Sequence, residues 1–373
     1  MLHGISTSYC GKSAFESERS QKFEHMSPLF TIIIAGYQCE PYLPKCLASV
    51  ANQTFGDFEA ICYVEESTDN SLAICQEWAR RDTRFIVATG PQSGAVATTR
   101  NYGIDHARGE YLVVVDGDDW ISTDMLEKLA AKLSACGPVD VLAFAGVSTS
   151  DASEKLADAS RLSNFRSQDQ SEVFSGLEAI RRTGRNHGKM HNQTVLNIYR
   201  LDFLRENGLR QSDGLLMEDF HWTPRVWFFA KRFAYLDEVF YFYRRRSQSL
   251  TTEASGRILL HLAQQFVALS DFVSAHTIPA DILNIWSNQW ISILFWFLFH
   301  PVTSRKSSDT DRQKAFEILL KDDRKKAFLR HVTHSSLPKR MATPLIFLAA
   351  KGWQLPAKLF FRYLYYPMLN WLR

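Results

Sequence analysis

Three aspartates follow an apolar run in the segment Tyr111-Leu-Val-Val-Val-Asp-Gly-Asp-Asp119. Such a run predicts a buried β-strand with a charged end. Because side chains alternate along a strand, we expect Asp116 and Asp118 on one face and Asp119 on the other. Gly117 adds no side chain, which leaves room for the carboxylates to close on a small cation. Mg²⁺ and Mn²⁺ prefer oxygen ligands, and Mg²⁺ commonly keeps substrate phosphates among them. The pattern therefore predicts metal-assisted chemistry on a phosphate compound.

Two other arrangements could contain these aspartates. One is a strand followed by an Asp-capped helix, since Ser122 and Thr123 are good cap residues. It accounts for one aspartate but not for three. The other is an EF-hand calcium loop, which requires Asp or Asn at position 120 and Gly at position 121. Trp120 and Ile121 occupy these positions and exclude the calcium loop.

A second acidic pair, Glu218 and Asp219, lies in the segment from Gly214 to Arg225. Thr223 and Pro224 are typical of an N-cap and a first helical position, so the pair is predicted in the turn before a helix. Carboxylates near a helix N-terminus often serve only as partners of the helix dipole. Both a chemical and a structural role remain open for this pair.

Three consecutive arginines, Arg244, Arg245 and Arg246, follow a predicted strand. Adjacent cations repel one another unless an anion compensates, so at least one of them is expected to contact a phosphate. A solvated run of charge is the alternative.

Apolar runs alternate with helical stripes in the first part of the chain. The predicted strands are 29–37, 58–64, 85–88, 111–115 and 139–144, and the predicted helices are 41–53, 71–80, 97–107 and 123–134. Alternation of this kind implies an α/β fold with a mostly parallel sheet and helices on both faces. Ligands bind beyond the carboxyl ends of the strands in such sheets. Asp116, Asp118 and Glu65 are expected there.

The remainder of the chain divides by composition. Residues 1–27 predict a disordered leader, 28–252 a single α/β domain, and 253–373 a helical, aromatic-rich region. Within the domain, the Ser- and Asp-rich segment 148–172 predicts a mobile loop.

Composition excludes several classes of protein. The 373 residues are 46% hydrophobic and 22% charged, which is ordinary for a globular chain. A net charge of +3 is too small to favour nucleic-acid binding. The six cysteines have no C-x-x-C spacing and suggest free thiols in a reducing compartment. Without a signal-like segment or an uncharged run of about twenty apolar residues, a cytoplasmic location is predicted.

The segment 351–373 holds four basic residues, no acidic residue and many aromatic rings. Pro356 and Pro367 are expected to bracket one short helix. Tyr, Trp, Lys and Arg favour the headgroup zone, so this segment could contact a membrane peripherally. Packing against the protein core is the equal alternative.

These motifs occur in an order and spacing that together are specific. The carriers are Ile32-Ile-Ile-Ala-Gly-Tyr37, the segment from Leu47 to Glu59, Ser67-Thr-Asp-Asn-Ser71, Gly94 with Arg100-Asn-Tyr-Gly103, Ala107-Arg-Gly-Glu-Tyr111, Asp116-Gly-Asp-Asp-Trp120, Met217-Glu-Asp219 and the segment from Tyr241 to Ser249. From Phe30 to about Thr252, the chain resembles a family 2 glycosyltransferase with the GT-A fold, of the type that builds bacterial cell-surface polysaccharide. The resemblance implies transfer of a sugar from a nucleotide-sugar, most often a UDP-sugar, to an acceptor hydroxyl with inversion. The acceptor would be a glycan or a lipid-linked glycan.

The resemblance also implies roles for individual residues. It implies that Asp118, with Asp116 or Asp119, binds Mn²⁺ or Mg²⁺, and that Asp219 is the general base with Glu218 beside it. It further implies that Arg100 and one of Arg244 to Arg246 bind phosphate. Tyr37 and Glu65 would form the nucleobase site. One departure concerns the donor. The family usually has Asp-Asp-Gly where this chain has Val64-Glu-Glu66, and Glu65 keeps the negative charge on a side chain that is one methylene group longer.

Two other functions compete with this one. A non-catalytic relative would bind a nucleotide-sugar or a partner protein without turnover, but it should lose carboxylates that repel one another. A nucleotidyltransferase would need a Gly-rich phosphate loop near the first strand. The segment Ala35-Gly-Tyr-Gln38 is not such a loop.

Overall fold

The computed structural model describes residues 27–150, 160–187, 192–245, 255–299 and 308–320. The strands in this part are β1 (Phe30–Gly36), β2 (Phe58–Glu65), β3 (Phe85–Gly90), β4 (Tyr111–Asp116), β5 (Trp120–Ile121), β6 (Val141–Ser150), β7 (Ser160–Leu162), β8 (Asn197–Arg200) and β9 (Phe233–Arg245). The helices are α1 (Leu43–Ala51), α2 (Ser71–Arg81), α3 (Ala97–His106), α4 (Met125–Cys136), α5 (Gly176–His187), α6 (Leu201–Glu206), α7 (Asp219–Phe229), α8 (Ser255–Ala275), α9 (Ala280–Phe299) and α10 (Asp309–Leu320).

One mixed sheet joins all of these strands in the order β3-β2-β1-β4-β8-β6-β9-β5, with β7 beside β6. Strands β1 to β4 pair in parallel, and β8 lies antiparallel between β4 and β6. Strand β9 runs parallel to β6. Six strands therefore point the same way, which confirms the predicted α/β fold. A helical C-terminal region follows, also as predicted.

The parallel strands consist of apolar runs because helices cover both faces of the sheet. Strands β1 and β4 are buried almost throughout. In their register Ala35 lies opposite Asp116, and Gly36 lies opposite Val64 on β2. The carboxyl ends of β1, β2 and β4 therefore meet at one edge, which we call the carboxyl edge. This is where the sequence predicts the charged groups.

Helix α7 begins earlier than predicted. It starts at Asp219, and Pro224 lies inside it. Thr223 does not cap the helix, because it is buried and its hydroxyl donates to the Asn192 carbonyl oxygen at 2.8 Å. A proline in a helix interior removes one backbone hydrogen bond, so the sequence signal resembled a helix start. Glu218 is the residue before the helix, and Asp219 lies in its first turn.

The prediction of a mobile loop over 148–172 is wrong for the described part of that segment. Strand β6 continues to Ser150, β7 pairs with it, and a 3₁₀ helix spans Ser167–Ser171. Asp169 accepts hydrogen bonds from the Arg166 amide at 2.8 Å and from Arg182 Nη1 at 2.9 Å. The polar composition thus reflects side chains that bind one another.

Several predictions fall on residues outside the described part. These are the leader over residues 1–26, Arg246 and the aromatic segment 351–373. Among the described helices, Gly256–Ala275 alone is long and apolar enough to cross a membrane, and half of it is buried inside the protein.

Candidate active site

A pocket of about 720 Å³ opens at the carboxyl edge of the sheet. Seven of the predicted site residues line it: Tyr37, Glu65, Arg100, Asp116, Asp118, Glu218 and Asp219. They lie at or just after the ends of β1, β2 and β4, in α3, and at the start of α7 and the residue before it. The first and the last of them, Tyr37 and Asp219, are 182 positions apart in sequence. Asp119 and Arg244 lie close by but not on the pocket wall.

Arg100 lies at the centre of the pocket wall and binds three carboxylates. Its side chain is 5% exposed. Nη2 donates to the Asp116 oxygens at 3.2 and 3.4 Å, while Nη1 donates to Glu218 and, at 3.3 Å, to Asp219. Asp116 and Asp219 keep 27% and 24% of their side chains exposed. One buried cation therefore connects the predicted metal-binding motif to the predicted base.

Burial is the main influence on the acidity of the carboxyl groups around Arg100. Burial raises the pKa of Glu218 to about 7, although Arg100 opposes the shift. Burial also raises the pKa of Asp219, against the effects of Arg100 and Thr194. For Arg100, burial lowers the pKa, but the three carboxylates outweigh it and the pKa lies above its ordinary value. Carboxyl groups with raised pKa values in a cleft are suited to accepting a proton near neutral pH.

Asp219 is held from two sides. The Thr194 hydroxyl donates to Asp219 Oδ1, and the Thr194 backbone N–H approaches Asp219 Oδ2 at 3.4 Å. Met217, two residues earlier, has φ of 62°, a left-handed conformation that is rare for a residue with a side chain. Strain of this kind persists where the surrounding structure imposes it, as at functional sites. The carboxylate is thus fixed in direction beside Arg100.

The three aspartates of the 116–119 motif have different surroundings. Asp116 and Asp118 line the pocket. Asp119 is buried, and its oxygens accept hydrogen bonds from the Tyr241 hydroxyl and the Arg244 backbone N–H, each at 2.7 Å. Burial, aided by the other two aspartates, raises the pKa of Asp119 well above its ordinary value. Asp119 therefore anchors β9 to the motif.

Gly117 is needed for the packing of the turn that follows β4. A Cβ atom at this position would lie 2.6 Å from the Ala35 carbonyl oxygen and 3.0 Å from the Cys39 sulfur. The Gly117 amide also donates to that carbonyl at 2.9 Å. The glycine thus allows the turn after β4 to pack on β1, and its predicted effect on the space between the carboxylates stays a prediction.

Arg244 contacts the 116–119 aspartate motif without lining the pocket. Its Nε donates to the Asp118 carbonyl oxygen at 3.0 Å, and its guanidinium lies 4.9 Å from the Trp120 ring centroid. A cation over an aromatic face is attracted to it. In this position Arg244 supports the backbone of the aspartate motif. Its predicted contact with phosphate stays a prediction.

The opposite end of the pocket holds Tyr37 and Glu65. The Tyr37 hydroxyl contacts Gln92, and Glu65 accepts hydrogen bonds from the Ser93 hydroxyl and, at 3.1 Å, from the Ser93 backbone N–H. Gln38 has φ of 44°, a conformation that asparagine adopts more readily than glutamine. This end presents an aromatic ring and a fixed carboxylate, which suits a nucleobase.

The residues present fit a hard divalent cation. Asp116 and Asp118 offer carboxylate oxygens at the pocket wall, and one or two carboxylates are the usual protein share of a Mg²⁺ site. Across the described ranges, no group of three or more His, Cys, Asp and Glu side chains is placed to hold a metal. Phosphate oxygens of a substrate would have to complete the coordination.

Three contacting residues carried no sequence signal. Thr194 binds Asp219, Ser93 binds Glu65, and Arg257 of α8 reaches the pocket wall. Each lies far in sequence from the group it serves, or outside any charged or aromatic pattern. Their roles depend on packing, which a local pattern does not report.

The fold and the pocket together define a class. A mixed α/β sheet with aspartates beyond the fourth strand and an acidic pair across one pocket is the arrangement of the GT-A fold. The sequence profile of the family described as "Glycosyl transferase family 2" matches residues 31–205. Residues 31–205 are thus similar to glycosyltransferase family 2, as the motifs predict.

Individual relatives agree with this assignment. The chain is 30% identical over 227 residues to the uncharacterized glycosyltransferase EpsJ of Bacillus subtilis, a match covering 61% of this chain and 64% of EpsJ. Its match to glycosyltransferase GlyA of Streptococcus pneumoniae is 27% identical and covers 59% of this chain and 31% of GlyA. The chain thus spans less than two thirds of the length of either protein.

A solved structure has the same fold. S. aureus TarS 1-349, in complex with UDP-GlcNAc, superposes with a TM-score of 0.64 at 20% sequence identity. The superposition covers 88% of this chain and 89% of that one. The likeness therefore extends beyond residue 205 into the helical C-terminal region.

Proposed function

We propose that this protein is a metal-dependent inverting glycosyltransferase that moves a sugar from a UDP-sugar to a hydroxyl of a glycan or lipid-linked glycan. One observation carries the proposal. Buried Arg100 holds Asp116 on one side and Glu218 and Asp219 on the other, in a pocket whose far end offers Tyr37 and Glu65. A donor and an acceptor can meet there between a metal-binding and a proton-accepting carboxylate. The TarS complexes with UDP and UDP-GlcNAc favour uridine nucleotides as donors.

Asp219 is the proposed general base. Its raised pKa and partial exposure suit a carboxylate that takes the proton of the acceptor hydroxyl as that oxygen attacks the anomeric carbon. Thr194 and Arg100 fix its direction, which lowers the entropic cost of alignment. Glu218, almost fully buried, holds the other side of Arg100. Attack from the face opposite the leaving diphosphate gives inversion.

Asp116 and Asp118 would hold Mn²⁺ or Mg²⁺, which neutralises charge on the departing diphosphate when it is bound. Asp119, predicted as a third ligand, is proposed instead to position the motif, since both of its oxygens accept hydrogen bonds. Arg100 is likewise proposed to position carboxylates. Its terminal nitrogens already donate to three of them, so little of its donor capacity remains for a phosphate.

The glycosyltransferase relatives support a proposal for the biological setting. We propose a role in bacterial polysaccharide biosynthesis, of a capsule or an exopolysaccharide, at the cytoplasmic face of the membrane. The segment 351–373 is proposed to make peripheral contact with that membrane, which would bring the pocket to a lipid-linked acceptor. Because the matched part is less than two thirds of EpsJ and GlyA, acceptor and linkage are not carried over from them.

The test is release of UDP from a panel of UDP-sugars by the full chain with Mn²⁺, with products followed by mass spectrometry. We expect turnover with at least one donor, loss of turnover in excess EDTA, and none in Asp118→Ala, which should melt at the wild-type temperature. Full turnover in EDTA would remove the metal role. Tight binding of UDP-sugars without any turnover, across all donors and acceptors tried, would support the non-catalytic alternative.

A further inference from the structure

Helix α8 carries a polar stripe that contacts two loops of the pocket. Arg257, His261 and Gln265 are four residues apart and so lie on one face of the helix. Arg257 Nη2 donates to the Gly94 carbonyl oxygen at 3.3 Å. The Leu216 backbone N–H donates to His261 Nδ1 at 3.0 Å, and Gln265 approaches the Leu216 carbonyl oxygen at 3.5 Å. The stripe joins the C-terminal helical region to the loops before α3 and α7.

The charges around the pocket are unequal. Its described lining includes five carboxylates, from Glu65, Asp116, Asp118, Glu218 and Asp219. Two arginines, Arg100 and Arg257, are the cationic residues of that lining. Arg100 is already bound to three of the carboxylates. A nucleoside diphosphate adds further negative charge, so it needs a cation that the carboxylates have not claimed.

Arg257 meets this requirement. It is an exposed residue, and among the described residues its hydrogen bond is to a carbonyl oxygen and not to a carboxylate. A carbonyl oxygen fixes a guanidinium while leaving its charge uncompensated. The remaining N–H groups form a planar fork that matches two oxygens of a phosphate.

The loop beside Arg257 is shaped to admit it. Gly94 has φ of 74°, and a Cβ atom there would lie 2.6 Å from Arg257 Nη2. Any other residue would strain the backbone and displace the guanidinium. The preceding residue, Ser93, is the one that holds Glu65. One loop thus places the arginine next to the proposed nucleotide end of the pocket.

We propose that Arg257 is a further donor-binding residue that contacts the diphosphate of the nucleotide-sugar. The inference rests on the proposed function and deepens it. It assigns part of donor recognition to the C-terminal helical region, outside residues 31–205 that match the family. Arg257 would then compensate part of the charge of the diphosphate, beside a divalent cation held by Asp116 and Asp118 when one is bound.

Isothermal titration of UDP, UMP and uridine into wild type and Arg257→Gln tests this assignment, first with Mn²⁺ and then in EDTA. We expect the Kd for UDP to rise about tenfold or more, as for the loss of charge-assisted hydrogen bonds, and the Kd for uridine to stay within about twofold. The Kd of Arg257→Lys for UDP should lie between those of wild type and Arg257→Gln. Arg80→Gln removes an exposed arginine from α2, away from the pocket, and should bind UDP like wild type.

Unchanged UDP affinity in Arg257→Gln, with an unchanged melting temperature, would overturn the inference and leave the proposed function intact. Equal weakening of uridine and UDP would also overturn it, because the arginine would then act through the loop or the base. If Arg257→Gln fails to fold, the UDP-to-uridine affinity ratio of Arg257→Lys decides. If the wild-type protein binds neither UDP, UMP nor uridine, the proposal that its donor is a UDP-sugar is wrong, and so is this inference.

Discussion

The two edges of the central sheet each hold an arginine bound to a carboxylate, yet they are built differently. At the amino edge, Glu59 is buried and accepts hydrogen bonds from the Thr31 hydroxyl at 2.8 Å and from the backbone N–H and Nε of Arg108, both at 2.7 Å. One carboxylate there meets one arginine. At the carboxyl edge, Arg100 meets three carboxylates.

The environments of the two arginines differ as well. The Arg108 side chain is 63% exposed and closes over Glu59 from the solvent side, whereas Arg100 is buried and its partners open into a pocket. Balanced charge with every oxygen satisfied stabilises a fold and invites no ligand. Surplus charge at a cleft costs stability and is retained where a cation or substrate will complete it. We therefore assign a structural role to the ion pair at the amino edge, called the structural edge below, and a role in chemistry to the cluster at the carboxyl edge, called the chemical edge.

Matched substitutions at the two arginines give the largest expected contrast. Arg100→Gln should lower the free energy of unfolding by about 3 kcal/mol or more, because it leaves buried Glu218 uncompensated. It should also reduce the rate of transfer more than about a hundredfold, since the carboxylates lose their alignment. Arg108→Gln also removes the cation beside a buried carboxylate, but Glu59 keeps the hydrogen bonds of the Thr31 hydroxyl and the residue 108 backbone N–H, so it should cost less, about 1–2 kcal/mol, with the rate nearly unchanged.

Urea unfolding and UDP release measure both variants. If Arg108→Gln slows transfer as much as Arg100→Gln does, the distinction between the two edges fails.

Asp219→Asn tests the chemical edge alone. The change keeps the shape of the side chain and removes its capacity to accept a proton, so the rate should fall on the order of a hundredfold. The Kd for UDP should change little, because Asp219 faces the acceptor in the proposed mechanism. Kinetics and calorimetry on the same preparation decide the point. A fall in UDP affinity that parallels the loss of rate would make Asp219 a structural or donor-site group.

The smallest expected effect is a pH dependence of stability that originates at Glu218. Burial raises its pKa from 4.5 to about 7, so between these values the folded protein holds a proton that the unfolded chain has released. The free energy of unfolding should therefore fall as the pH rises through this window, on the order of 2 kcal/mol in total. Above about pH 7 the contribution is lost.

Denaturant unfolding of metal-free protein between pH 5 and 8 measures this slope, with Glu218→Gln for comparison. The variant should lose most of the decline. If the free energy of unfolding depends on pH in the same way in both proteins, the pH dependence does not originate at Glu218.

Much of the architecture could be predicted because its signals are local. Periods of two and of 3.6 residues reveal strands and helices wherever one face is buried, and the parallel strands are apolar throughout. The convergence of Asp116, Asp118 and Glu65 at one edge follows from the direction of parallel strands alone. The sequence places the start of α7 too late because Thr223 and Pro224 mimic a helix start, whereas the helix begins at Asp219, which accepts hydrogen bonds from Thr194 and Arg100, both distant in sequence.

The sequence by itself determined the α/β alternation, the family motifs and the place where carboxylates gather. It placed Asp118 and Asp119 on opposite faces and Glu65 at the carboxyl end of its strand, but it did not show which of these carboxylates would be satisfied by hydrogen bonds. Tertiary structure decided which carboxylate is satisfied and which faces the pocket. Arg100 and Glu218 are 118 residues apart, and Arg257 and Gly94 are 163 apart. Such partners are chosen by the packing of whole elements, and no local pattern records them.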